Sequence, residues 1–207
     1  MQHNVFILIG FIEIALSIFM QWQNYVSNNI KTFSIQSWIL GIFLMYFGVL
    51  NNNISIIILS ILTILTRAIF IPRYLINTIN KQIFRARENK HKVSVSLSIL
   101  ISVLLAIFSY ILYTLVFFEF GKSLISIPIT LMLQGAFLIM SRSNAYAQLI
   151  GYLVMENSMF LLSFLFNGLP FIVEAGIILD ILGIVMIGGI LMKIRDEDIQ
   201  KEEELYG

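Results

Sequence analysis

The chain has 207 residues, 58% of them apolar and only 12% charged, and carries a formal net charge of +1. Soluble domains run near half apolar and a quarter charged, so both figures point to lipid. The absence of cysteine, and the presence of only His3 and His91, both outside the apolar blocks, argue against disulfides, iron–sulfur clusters, thiolate metal sites and membrane haem.

The apolar blocks are long enough to cross a ~30 Å hydrocarbon layer as helices. Ten-residue alternation is missing, so a barrel is not expected. The fold class expected is all-α and polytopic, with about seven spans near 4–22, 35–50, 54–71, 93–118, 124–141, 147–167 and 170–193. The first block runs on past a glutamate without a basic leader, unlike a cleaved signal. Asn51, Asn52 and Asn53 read as a tight turn between the second and third spans, and Asn167 to Pro170 as another between the sixth and seventh. Residues 72–92 form the only long polar connection. Residues 1–193 thus make one membrane domain, and 194–207 an acidic tail.

Charge placement sets the orientation. With the N-terminus outside and the C-terminus inside, every Lys and Arg except Lys122 lies on the cytoplasmic side or at the inner end of a helix. The basic connection, with Arg73, Lys81, Arg85, Arg87, Lys90 and Lys92, reads first as a topology signal; an anionic-lipid or partner-docking patch is the other reading. No phosphate loop, dinucleotide fingerprint or zinc-protease motif occurs, and the charge gives no reason to expect nucleic acid. No cofactor or metal site is expected of this chain.

The informative residues are the charges inside the spans: Glu13 in the first, Arg67 toward the inner end of the third, Glu156 in the sixth, and Glu174 and Asp180 in the seventh. In the seventh span, apolar side chains favour insertion by about 4–8 kcal/mol, while its two acids cost about 5–7 kcal/mol. Such acids need partners, water or protonation. At ~1.5 Å per residue, Glu156 and Asp180 both lie roughly 17–18 Å from the turn near residue 168, and Glu174 only about 8 Å from it. The three acids form a ladder from the outer interface to mid-membrane if their faces converge. Because burial penalises a carboxylate, they are candidates for a proton relay; Asn157, Gln148 and Asn144 add polar groups along the sixth helix. The opposing reading is that the acids only pair with cations or fix helix packing. Glu13 has no evident partner, and Arg67 is expected to snorkel to the inner interface.

Two stretches carry a family likeness. Gly151-Tyr152-Leu153-Val154-Met155-Glu156-Asn157, followed by Val173-Glu174-Ala175-Gly176-Ile177-Ile178-Leu179-Asp180, resembles the paired helices of the hydrogenase-4 component E family. These are membrane subunits of formate-hydrogenlyase-type nickel–iron hydrogenases. The pair is also similar to the two glutamate-bearing helices of the K subunit of respiratory complex I. Good matching covers about residues 141–195. Upstream, Phe33 to Ser37 and Thr66-Arg67 with Pro72 fit the pattern, with Arg67 standing where the family more often has lysine. Glu13 has no counterpart in it.

The resemblance implies a non-catalytic, multi-pass subunit of the plasma membrane. Its partners would be other membrane subunits of a hydrogenase-like or complex-I-like assembly and, through them, soluble iron–sulfur and nickel–iron subunits. Glu156, Glu174 and Asp180 would line a proton or sodium path, with Asn157 and Arg67 as accessory groups; Glu13 is an accessory candidate only by its place inside the first span, not by the resemblance. A stand-alone proton-coupled transporter is the main rival reading, and a scaffold whose acids only fix packing is the third. A transporter usually has repeat symmetry and helices broken at the midplane, whereas Gly188 and Gly189 lie near the inner end of their span.

Overall fold

The long runs of Ile, Leu and Phe form helices, and the polar residues within those runs turn toward one another rather than outward. The computed structural model describes residues 2–80, 92–117 and 123–165. Among these, every regular element is helical: α1 (Gln2–Trp22), α2 (Val26–Leu50), α3 (Ile54–Thr63), a π-helical stretch (Ile64–Phe70), α4 (Ile71–Asn80), α5 (Val95–Leu112), α6 (Ser126–Ser141) and α7 (Ala145–Leu165). Among the described residues, four continuous helical segments are long and apolar enough to cross a membrane: Asn4–Trp22, Val26–Leu50, Ile54–Asn80 and Val95–Val116. The chain therefore has the build of a helical membrane protein.

The outward faces support this. Leu8, Phe11, Ile58, Leu65, Leu100, Leu104 and Leu115 are all exposed, whereas α5 buries only Ser98, Ser102 and Ser109. A helix that hides serines and shows leucines is sorted against the hydrophobic effect of water, but suits hydrocarbon surroundings.

Two boundaries differ from the sequence expectation. The connection expected over 23–34 shrinks to 23–25, because α2 already begins at Val26. Its polar first turns read as loop, yet Asn29 and Thr32 are buried inside the bundle. The third span does not stop at 71 but runs on as α4 to Asn80. Pro72 has no N–H for the carbonyl of Ala68; the hydroxyl of Ser34 donates to that carbonyl instead, at 2.7 Å. The helix can therefore pass its proline. The Asn51–Asn53 turn forms as expected: Asn52 takes a positive φ of 48°, which asparagine tolerates, and the Asn53 side chain caps α3 by accepting from the N–H groups of Ser55 and Ile56. The turn expected near 168, the seventh span and the acidic tail lie outside the described residues.

Contacts along the helices give their directions. Gly10 of α1 lies against Ile127 of α6, and Gln21 against Ser141, so α1 and α6 run parallel. Gly41 meets Ile64 and Gly48 meets Ile57, making α2 and α3 antiparallel. The connections at 23–25 and 142–144 meet at one end of the bundle through Gln21 and Arg142, and the Lys92 N–H bonds the Ser141 carbonyl there at 2.9 Å.

Among the glycine contacts of the described residues, the closest approach of backbone to backbone joins α6 to α7. A Cβ added to Gly135 would lie 2.7 Å from the Gly151 carbonyl oxygen, and one added to Gly151 would lie 2.7 Å from that of Gly135. Such close backbone approach is how helices associate where lipid removes the hydrophobic drive. Gly151→Val should force the pair apart and destabilise the protein by about 1–3 kcal/mol, read as a lower unfolding midpoint in detergent; an unchanged midpoint would contradict this packing.

Candidate functional site, a polar layer between two apolar clusters

The buried apolar residues fall into two clusters. One contains Met20, Phe33, Ile71, Leu138 and Val154; the other contains Phe6, Leu40, Leu59, Leu131 and Phe160. Reading each helix from one cluster to the other crosses buried polar residues. In α1 the residues are Glu13 and Ser17, in α2 Gln36 and Ser37, and in α6 Gln134. In the third span they are Ser60, Thr63 and Arg67, and in α7 Glu156, Asn157 and Ser158. Five segments thus contribute to one polar layer across the middle of the bundle.

Its centre is an ion pair. Arg67 and Glu156 are 0% and 2% exposed, and Arg67 Nη2 donates to Glu156 Oε2 at 2.8 Å. Nη1 donates to Asn157 Oδ1 at 3.0 Å. The guanidinium also lies over the Phe160 ring, with Cζ 4.4 Å from its centre. Glu156 and Phe160 are four apart and so stack on one face of α7, which holds the cation between an acid and an aromatic ring. Arg67 occupies the middle of the π-helical stretch, a helix form that occurs mostly as short insertions, frequently at functional sites.

Arg67 therefore does not snorkel to the interface: Glu156 and Asn157 offer it a charge-assisted network inside the bundle. The structure brings Glu156, Asn157 and Arg67 together. Glu13 shares the layer but not the pair; it is fully buried, and neither carboxyl oxygen has a hydrogen-bond partner among the described residues. Its backbone carbonyl accepts from Gln36 Nε2 at 2.9 Å. Glu174 and Asp180, the other two acids of the expected ladder, lie outside the described residues. Asn144, in the turn before α7, and Gln148, in the first turn of α7, lie outside the layer. The Asn144 side chain accepts from Tyr146 N at 2.9 Å, and Gln148 Nε2 donates to the Arg142 carbonyl at 2.9 Å.

Sequence reasoning passed over Gln36, Gln134 and Arg142. Gln36 and Gln134 were visible as lone carboxamides inside apolar blocks, a weaker form of the same signal that marked Glu156. Arg142 looked like an ordinary inner-end arginine, but it is fully buried and its Nη2 donates to the Gln21 carbonyl at 2.5 Å. Burial pushes its guanidinium down to about 10, so it remains a cation at neutral pH.

No family model matches the chain, and no solved structure matches it. The chain is similar to the uncharacterized protein Rv0085 of Mycobacterium tuberculosis (strain ATCC 25618 / H37Rv), with 26% identity over 214 residues covering 98% of this chain and 97% of that one. The likeness is therefore one of whole chains rather than of a single motif.

Breaking a buried pair by removing one member costs about 3–5 kcal/mol, while replacing both with apolar residues costs far less. Arg67→Met should therefore lower stability sharply, and Arg67→Met with Glu156→Met should recover much of the loss. Chemical denaturation in detergent checks this; a loss in the double variant equal to the sum of the two single losses would show that the pair is not coupled.

Proposed function

We propose that the chain is a non-catalytic membrane subunit of a hydrogenase-4/formate-hydrogenlyase-like, complex-I-related redox complex. In this reading it crosses the plasma membrane seven times, N-terminus out and C-terminus in, and lends buried acids to a proton or sodium path. The observation that carries the reading is the Arg67–Glu156 ion pair, held in a polar layer between two apolar clusters. Ionisable residues inside spans are rare, pair with one another and mark ion pathways. Glu156 and Asn157 also close the motif that resembles component E, and Glu174 and Asp180 would continue the path from there.

The chemistry follows from the pair. A proton arriving on Glu156 removes its charge and leaves the Arg67 guanidinium facing a neutral acid. The cation then repels further positive charge and favours an anion at the next position. Asn157 keeps hold of one guanidinium nitrogen in either state, so the arginine stays in the layer while its neighbour changes charge. Redox energy would enter through partner subunits, since transfer along this chain needs only protonatable groups.

Two experiments test the reading. Gentle detergent purification of the tagged chain with mass spectrometry of its companions should recover hydrogenase-like and antiporter-like subunits. Recovery of the intact chain alone would instead favour a stand-alone proton-coupled transporter. In the assembled complex, Glu156→Gln keeps a neutral hydrogen-bond acceptor for Arg67; it should leave assembly intact and abolish coupled ion movement. Normal coupling would remove Glu156 from the path.

A further inference from the structure

Among the described residues, Glu13 is the acid of the layer without a counter-charge or a donor. Its side chain is 0% exposed, and both carboxyl oxygens lie free of any hydrogen-bond donor among the described residues. Unfilled polar groups share the layer with it. Gln36 uses Nε2 on the Glu13 carbonyl, and among the described residues its Oε1, the Ser37 hydroxyl and both side-chain heteroatoms of Gln134 are buried without a partner. A carboxylate adds only acceptors to such a set, whereas a carboxylic acid adds an O–H donor. An ionised, unpaired carboxylate in this interior is strongly disfavoured, and neutralisation is the usual escape.

Depth relates Glu13 to the ion pair. Along α2, Ser34 bonds the Ala68 carbonyl and Gln36 bonds the Glu13 carbonyl. Glu13 and Arg67 therefore lie within about one helical turn, ~5 Å, of the same level. They sit on the two sides of α2, which packs against α1 on one flank and the third span on the other. Among the described residues, the charged side chains that share the layer with Glu13 are Arg67 and Glu156. From the other elements packed on α1, Gln36 and Ser37 of α2, Gln134 of α6 and the serines of α5 are uncharged. Lys31 of α2 is exposed, and Arg142 lies at the far end of α1, beside Gln21, about two turns away.

We propose that Glu13 is a second proton-binding residue, whose buried carboxyl takes up and releases a proton at the level of the Arg67–Glu156 pair. Gln36 is its positioning residue, pinning the α1 backbone at Glu13 and offering an acceptor for the acid O–H. The site stands on its own surroundings and does not require the chain to belong to a redox assembly. It gives the layer a carboxyl on each side of α2, of which, among the described residues, one is paired with a cation and one is not.

The test is infrared difference spectroscopy of the full chain in lipid vesicles, comparing acidic with alkaline pH in H2O and in D2O. A protonated-carboxyl C=O band that moves down in D2O, fades at alkaline pH, disappears in Glu13→Gln and persists in Glu156→Gln is the expected result. A Glu13→Gln spectrum that keeps every carboxyl band would overturn the proposal, as would a Glu13 band indifferent to D2O and pH. Should Glu13→Gln fail to fold, Glu13→Asp decides: a shifted band supports the site, and an unmoved one removes it. Because the readout needs only this chain, its failure leaves the role of Glu156 untouched, and failure of Glu156→Gln to affect coupling leaves Glu13 standing.

Discussion

A charged guanidinium in the middle of a membrane bundle is the constraint around which the other parts are arranged. Desolvating Arg67 and Glu156 costs several kcal/mol for each ion, and only good geometry and extra hydrogen bonds return it. The bundle supplies both: a 2.8 Å contact between the charges, an Asn157 carbonyl for the second guanidinium nitrogen, and the face of Phe160 beneath. All three partners come from a short stretch of α7, so the position of that helix is tied to Arg67. Close glycine packing between α6 and α7 then carries the same constraint into the next helix.

The two apolar clusters give this layer its setting. Above and below it the helices meet through residues such as Phe6, Phe43 and Phe164 at one end, where the rings stack or cross at 4.9–6.0 Å, and Ile30, Leu75 and Ile150 at the other. Polar groups between two such clusters are screened from both aqueous sides, which strengthens every electrostatic interaction among them. Each charge there therefore feels the state of the others.

Much of this was legible in the sequence because lipid reverses the usual ambiguity of polar residues. A glutamate on a soluble helix says little; Glu156 and Glu13 inside apolar blocks announced themselves. The Asn51–Asn53 turn was equally plain, since asparagine both caps a helix and accepts a positive φ. Arg67 was misjudged because snorkelling depends on distance to an interface, while pairing depends on a residue 89 positions away that no local pattern reveals. The start of α2 was missed for a related reason: Asn29 and Thr32 look like loop residues until a polar interior exists to receive them. The continuation through Pro72 rested on Ser34, again a partner distant in sequence.

The π-helical stretch around Arg67 also sets a phase. The third span buries Ile56, Leu59, Ser60 and Thr63 on one side of it and Ile71, Leu75 and Ile79 on the other. From Ile56 to Ile79, an unbroken α-helix would turn about 140° past six full turns, and Ile79 would face well away from the bundle. The wider i→i+5 turns absorb that excess. The distortion that places the arginine thus also acts as a gear between the two halves of the span: a one-residue change in how far the π stretch extends would rotate Leu75 and Ile79 against their neighbours, and whatever perturbs Arg67 could be felt at Asn80, where the chain enters its basic connection.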